Sequence, residues 1–390
     1  MTMEPTHAVL TPAGAAMSPD TRPDASAQEL PLPPRARVQR ASSRLVRVLL
    51  VVAALWLFLS AITVMKDGAA ALAPDLKGSA LTDSMASSLG FGWLGAMLVM
   101  SGSPMAVTAL TLHDGGVLTV SQTLTMLTGS RLGAAFVVLV VAFVYAMRGK
   151  LDQKTRHASL SIGIFSLMLT AVVYVPALGI GLPLLGSDSF RSVNIVAPAS
   201  LLNIVKVATA PIVSNIEAIV PQGILFLAGL ALLLVSLRLL DAALPDAAET
   251  AHLEEHRDWR NRRWLMFGIG SLVALVTMSV SVALTVLVPA VSKGYFRRRQ
   301  VLPYIMGANI TTLGDTLVAA YVMGNPGGVH VVLAELAGIT LITGILLAFL
   351  YTPLTEQVVR TTDWILGRKQ RLAVFVGVLF TVPITLIALF

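Results

Sequence analysis

Seven stretches of this chain are each long and apolar enough to cross about 30 Å of hydrocarbon as a helix: residues 45–65, 117–147, 158–182, 219–243, 300–323, 329–352 and 372–390. Lipid offers no partner to backbone N–H and C=O groups, so a chain that spans it repeatedly with segments of this length closes its hydrogen bonds inside helices. The expected class is an all-α polytopic membrane protein. The composition, 55% hydrophobic and 13% charged, agrees. The chain has no cysteine, which removes disulfides, thiolate metal sites and Cys nucleophiles from consideration.

The net charge of +7 has the sign that nucleic acid attracts, but the basic residues cluster between the spans. Arg35, Arg37, Arg40, Arg44 and Arg47 precede or open the first span, and Arg148, Lys150, Lys154 and Arg156 follow the second. Further clusters are Arg257, Arg260, Arg262 and Arg263, then Lys293 with Arg297 to Arg299, and finally Arg368, Lys369 and Arg371. This is the positive-inside distribution of cytoplasmic loops. It predicts a multi-pass protein of the cell membrane with a cytoplasmic N-terminus and a lipid bilayer, not nucleic acid, as its surroundings. Residues 1–43, rich in Ala, Pro, Thr and Ser, read as a disordered cytoplasmic tail. Ala69 to Ala73 resembles a signal-peptidase site, but the first span is long for a signal core, and the symmetry below needs a helix there.

Residues 90–129 align without gaps with residues 268–307 at an offset of 178, with eleven identities in forty positions. About four are expected by chance for membrane-type residue usage. The identities include Gly92/Gly270, Ser101/Ser279, Ser103/Ser281, Gly116/Gly294, Gln122/Gln300 and Gly129/Gly307. Loop charges orient the two copies oppositely. Basic clusters flank residues 264–291 on both sides, so this segment enters and leaves from the cytoplasm around the polar break at Thr277 to Ser281. Its counterpart, residues 89–113, does the same from outside around Ser101-Gly102-Ser103-Pro104, where Pro104 removes a backbone donor. The expectation is two inverted-topology repeats, each with a re-entrant helical hairpin, plus one extra C-terminal transmembrane helix. Binding sites in such folds lie near the midplane at broken helices. The expected divisions are repeat 1 over 44–182 (hairpin 89–113), an extracytoplasmic connection over 183–218, repeat 2 over 219–352 (hairpin 264–291), and a linker with the last helix over 353–390.

A second polar stretch, Gly307-Ala308-Asn309-Ile310-Thr311-Thr312-Leu313-Gly314-Asp315-Thr316, lies inside an apolar span. Ser-x-Ser at a hairpin tip followed by Gly-Ala-Asn-Ile-Thr-Thr in the next helix, most of it present twice, resembles the sodium/phosphate cotransporter family. That family carries a Gln-Ser-Ser-Ser run and a Gly-Ala-Asn-Ile-Gly-Thr-like run in each half. Here the first run is Met100-Ser101-Gly102-Ser103 and Met278-Ser279-Val280-Ser281. The second is Gly307 to Thr312, and in the first half it has become Gly129-Ser130-Arg131-Leu132-Gly133-Ala134. Both Gln positions are Met, the middle serines are Gly and Val, and Arg131 replaces the first Asn. The resemblance implies a secondary active transporter that imports inorganic phosphate by alternating access, with sodium as coupling ion and no other cofactor. It does not fix the oligomeric state.

The residues themselves leave several assignments open. Ser101, Ser103, Ser279 and Ser281 offer donors to an anion and lone pairs to a cation, and serines in membrane helices also serve simply as small packing residues. Asn309, Thr311, Thr312 and Asp315 form an oxygen-rich set suited to a hard cation such as sodium, or Asp315 balances a buried positive charge. Arg131, far from either end of its span, needs an anion: the substrate, with Asn309 and the four serines, or Asp315 in a permanent pair. Glu335 reads as close enough to its span's end to snorkel, and His113-Asp114 as a solvated loop at the outer hairpin base. No P-loop, G-x-S-x-G or H-E-x-x-H motif occurs, so the chain does not read as an enzyme. Two alternatives to sodium-coupled phosphate import stand: a non-transporting scaffold or subunit that keeps the fold, and a proton-coupled transporter of another oxyanion.

Overall fold

The computed structural model of the chain describes residues 34–76, 79, 82–148, 153–192, 195, 197–243, 262–277, 279–292 and 294–389. Among them the regular structure is helical. The helices are α1 (Pro34–Leu76), α2 (Met85–Val99), α3 (Gly102–Asp114), α4 (Val120–Arg148), α5 (Gln153–Gly186), α6 (Asp188–Arg191), α7 (Ala199–Ile219) and α8 (Gln222–Ala243). After the next stretch come α9 (Arg263–Thr277), α10 (Val280–Thr285), α11 (Leu287–Ser292), a 3-10 turn (Arg298–Val301), α12 (Leu302–Thr311), α13 (Leu313–Met323), α14 (Pro326–Ala348), α15 (Tyr351–Leu366) and α16 (Lys369–Leu389). Residues 1–33 of the expected tail, Met278 of the second Ser-x-Ser break, and Lys150, Arg257, Arg260 and Lys293 of the basic clusters lie outside the described residues. Helix α1 already begins at Pro34, inside the stretch read as tail.

Among the described residues, seven helical segments are long and apolar enough to cross a membrane: Val46–Asp75, Val120–Met147, Gln153–Gly186, Ala199–Ile219, Gln222–Leu240, Pro326–Ala348 and Lys369–Leu389. The chain is a multi-pass integral membrane protein. The number of spans equals the sequence expectation, but the set differs at two places. Residues 199–219, expected within a connection, form an apolar helix, and residues 300–323, expected as one span, are broken at Thr312. Within Val46–Phe390 the core lies around α4 and α5, the most deeply buried spans, whereas α7 and α16 expose most of their apolar surface. Helix α8 returns antiparallel along α1. Gly68 of α1 meets the Phe226 backbone and Gly229 meets Met65 near one end, while Leu55 lines a cavity with Leu237 and Leu240 near the other.

The 178-residue offset reappears in contacts that the alignment alone does not contain. Helix α2 packs along α4 and α9 along α12. A Cβ on Gly92 would strike the Met126 carbonyl oxygen, and one on Gly270 the Tyr304 carbonyl oxygen, 178 residues further on. Gly129 meets the Leu89 carbonyl as Gly307 meets that of Phe267. Glycine at these four positions lets two helix backbones touch, the small-residue contact on which helix packing in lipid relies. The ends of α3 and α11 close alike as well. Gly116 (φ 75°) and Gly294 (φ 79°) both take the left-handed conformation. Val117 N–H donates to Leu112 O at 2.9 Å and Tyr295 N–H to Ala290 O at 3.0 Å, the backbone pattern that ends a helix on such a glycine. The side chains of Gln122 and Gln300 then accept from the Thr119 and Arg297 amides at 2.8 and 2.9 Å.

Candidate functional site

Each Ser-x-Ser motif sits at a break between helices. Helix α2 ends on Met100, which among the described residues is the one non-glycine with positive φ (57°). Ser101 is extended and caps α3. Pro104 falls in the first turn of α3, where a missing N–H leaves no intrahelical bond unmade, so it starts this helix rather than interrupting one. At the second break Ser279 is extended and its Oγ accepts from Val282 N–H at 3.3 Å, whereas Ser101 makes no side-chain cap. Ser103 and Ser281 lie half-buried in the first turns of α3 and α10. The first tip presses on α4: a Cβ on Gly102 would come within 3.1 Å of Ser130 O and 2.8 Å of Ala134 Cβ, on the turn that carries Arg131. Helix α10 also packs on α4, so both tips reach this one helix.

The Gly307–Thr316 stretch is a second kind of break. Helix α12 stops at Thr311, Thr312 adjoins both helices, and α13 starts at Leu313. The threonines help make the interruption. Thr312 Oγ1 donates back to Asn309 O at 3.0 Å and Thr311 Oγ1 to Gly307 O at 3.2 Å, bonds that compete with the helix ladder and bend it. Asn309 is fixed from α5: its Nδ2 donates to Thr170 Oγ1 at 3.0 Å, and Tyr174 Oη donates to its carbonyl at 2.7 Å. Asp315 lies in the first turn of α13. Its Oδ1 accepts from Thr316 N–H at 2.6 Å and Thr316 Oγ1 at 2.9 Å.

Arg131 of α4 meets this break. Its Nη2 donates to Thr316 Oγ1 at 2.5 Å and stands 3.8 Å from Asp315 Oδ1, so the threonine hydroxyl bridges guanidinium and carboxylate. Arg131 is 4% exposed and Asp315 7%, which makes the pair a buried one. It is incompletely satisfied: Arg131 Nε and Asp315 Oδ2 are buried without a hydrogen-bond partner. Beside Asp315 opens an apolar cavity of about 250 Å3 between α1, α7, α8 and α13.

Two sequence readings are corrected. Glu335 does not snorkel. It is 2% exposed, and Thr128, one turn before Arg131 on α4, donates to its Oε1 at 2.9 Å. The helix begins at Pro326, so Glu335 lies nine residues inside it, too deep for its short side chain to reach an interface. His113-Asp114 is not a solvated loop. Asp114 takes Lys66 of α1 at 2.7 Å and Asn325, the cap of α14, at 2.8 Å, while His113 Nδ1 bonds Leu118 O at 3.0 Å. Thr128, Thr170 and Tyr174 are the neighbours that sequence reasoning missed, while Thr316 closes the polar stretch singled out there without being given a role. Single hydroxyls in apolar helices carry no motif, and only the packing brings them to the charged groups.

Three helix breaks, a buried guanidinium and two buried carboxyl groups thus lie within a multi-span integral membrane bundle. Residues 232–367 match the family model described as Na+/Pi-cotransporter. No curated protein and no solved structure matches the chain. The matched stretch runs from within α8 to the end of α15 and includes the Ser279 break, Asn309 to Asp315, and Glu335. The first half, in which Arg131 stands where the second has Asn309, lies outside that match.

Proposed function

We propose that the chain is a secondary active importer of inorganic phosphate, coupled to sodium, working by alternating access between two inverted repeats. The repeats are residues 44–182 and 219–352, with re-entrant hairpins at 89–113 and 264–291. The recurring glycine contacts, helix ends and glutamine caps support equivalent halves, and the loop charges support their opposite orientation. With the N-terminus inside, α1 runs outward and its antiparallel neighbour α8 runs inward.

The observation that carries the reading is the buried, threonine-bridged Arg131–Asp315 pair, one member from each half, at the break that holds Asn309, Thr311 and Thr312. A guanidinium matches phosphate oxygens, and a carboxylate with amide and hydroxyl oxygens suits a small hard cation. The unpartnered Asp315 Oδ2 and Arg131 Nε are the atoms such ligands would satisfy. Ser101, Ser103, Ser279 and Ser281, at the two tips that meet α4, supply further hydroxyls to the anion. Coupling follows from exchange of partners. Sodium at Asp315 weakens its hold on Arg131, and the freed guanidinium takes phosphate. By linkage each ligand then tightens the other. The test is uptake of radiolabelled phosphate by proteoliposomes of the full chain with and without an inward sodium gradient. Uptake that needs the gradient supports the reading, and well-folded protein without phosphate uptake would refute it in favour of a scaffold.

A further inference from the structure

Among the described residues, the centre of the bundle contains one guanidinium, Arg131, and two carboxyl groups, Asp315 and Glu335. Three donors face Asp315: the Thr316 amide, the Thr316 hydroxyl, and Arg131 across it. Glu335 receives one, the Thr128 hydroxyl, and its Oε2 is buried without a partner. It lies about 14 Å along α14 from the helix start, near the middle of the span. The charged and titratable groups around it are few. Helix α4 contributes Arg131, α13 contributes Asp315, α5 contributes the Tyr174 phenol, and α12 contributes Asn309, which is uncharged. His113 of α3 approaches Gly327, two turns toward the start of α14. On α15, Asp363 is engaged by Arg298 at 2.6 Å, and Glu356 and Arg360 are exposed.

An isolated charge buried in such an interior is strongly disfavoured, and one guanidinium neutralises one carboxylate. The donors assign that partner to Asp315, which leaves Glu335 without an ion pair of its own among the described residues. We propose that the Glu335 carboxyl is a proton-binding site of the transport cycle, in addition to the sodium site at Asp315. The proton comes from water on one side, forms an O–H bond on the carboxyl, and leaves to water on the other side with no other bond changed. Phosphate at Arg131 adds negative charge beside Glu335, so phosphate and this proton bind cooperatively. The transport role rests on the phosphate reading above, but the presence of the proton does not.

Infrared spectroscopy of the full chain in phosphatidylcholine vesicles at neutral pH tests the site directly. The expected result is a protonated-carboxyl band that moves with 13C-labelled glutamate, stays with 13C-labelled aspartate, and is lost in Glu335→Gln. In Glu335→Asp the band should return and follow the aspartate label, which excludes a folding defect as the cause of the loss. Absence of a protonated glutamate band in the wild type, or its survival in Glu335→Gln, overturns the proposal. The coupling is read from phosphate uptake at a fixed sodium gradient as the outside is acidified. The titration of phosphate itself is common to wild type and variant, so the difference between them is the signal. Wild-type uptake should exceed that of Glu335→Gln increasingly at acid pH, by up to about tenfold per pH unit, the limit for one site. Parallel profiles overturn the transport role. A wild type that carries no phosphate refutes the phosphate reading alone, and the infrared result still decides the proton site.

Discussion

Helix α4 and the α12–α13 pair stand 178 residues apart in equivalent positions, yet one is continuous and the other is broken. Their N-terminal parts use the same devices. A glutamine caps the entry, and glycines admit the neighbouring helix against the backbone. The divergence is confined to the middle. Arg131, Gly133 and Ala134 stand where Asn309, Thr311 and Thr312 stand in the second copy. The first set keeps an unbroken helix and projects a fixed positive charge. The second bends the helix with hydroxyl-to-carbonyl bonds and gathers neutral oxygens near a carboxylate. The shared frame holds each hairpin in place, and the proposed division of anion and cation between the halves rests on the difference at the centre.

The largest expected effect comes from unpairing the centre. Arg131→Gln leaves Asp315 as a buried charge with no partner, and breaking such a pair destabilises by about 3–5 kcal/mol. Thermal unfolding in detergent should show a marked fall in Tm. Arg131→Gln together with Asp315→Asn should recover most of it, because no unpaired charge of this pair remains. The same double variant should not recover phosphate affinity. Recovery of both would reduce the pair to a structural lock and remove the assignment of the anion to the first half.

A smaller effect probes the shared frame. Gly92→Ala and Gly270→Ala each push a methyl group into a facing carbonyl, and overpacking of this kind costs about 1–3 kcal/mol. Similar losses from the two variants would sharpen the equivalence of the halves. A large loss at Gly92 with none at Gly270 would break it, since both press on the same kind of backbone atom. The smallest effect is at the caps. Gln122→Ala and Gln300→Ala remove one side-chain acceptor each from a helix start, worth about 1 kcal/mol for a capping bond. Gln122 also donates to Thr82 O at 2.7 Å, so Gln122→Ala removes that tie to the start of the first hairpin as well.

Much of this was legible in the sequence, for physical reasons that also explain the failures. Long apolar runs gave the membrane class because hydrocarbon thickness sets a length that few other constraints produce. Arg131 and Asp315 stood out because a charge far from the ends of a span needs a partner, and the structure supplies each with the other. The break at Thr312 was hidden because residues 300–323 are apolar enough to read as one helix, and the threonines that interrupt it look like ordinary polar substitutions. Helix α7 was missed because its mixture of Asn, Lys and Glu with apolar residues resembles a connection as much as a span. Glu335 was misplaced by an error in the helix start of three residues, about one turn, which moved it from mid-span toward an interface. The ties of Thr128, Thr170 and Tyr174 join α4 and α5 to the second half over more than 130 residues, and no local pattern encodes them.

The central claim is that two halves facing opposite ways build one site, and sidedness tests it most directly. The chain has no cysteine, so one introduced at Thr119 or at Arg297 is unique. Both positions are exposed, and they are equivalents that precede α4 and the 3-10 turn before α12. In intact cells a membrane-impermeant maleimide should label Thr119→Cys fully and Arg297→Cys only after permeabilisation. Labelling of both from the same side would contradict the inverted arrangement, and with it the assembly of anion and cation sites from opposed halves.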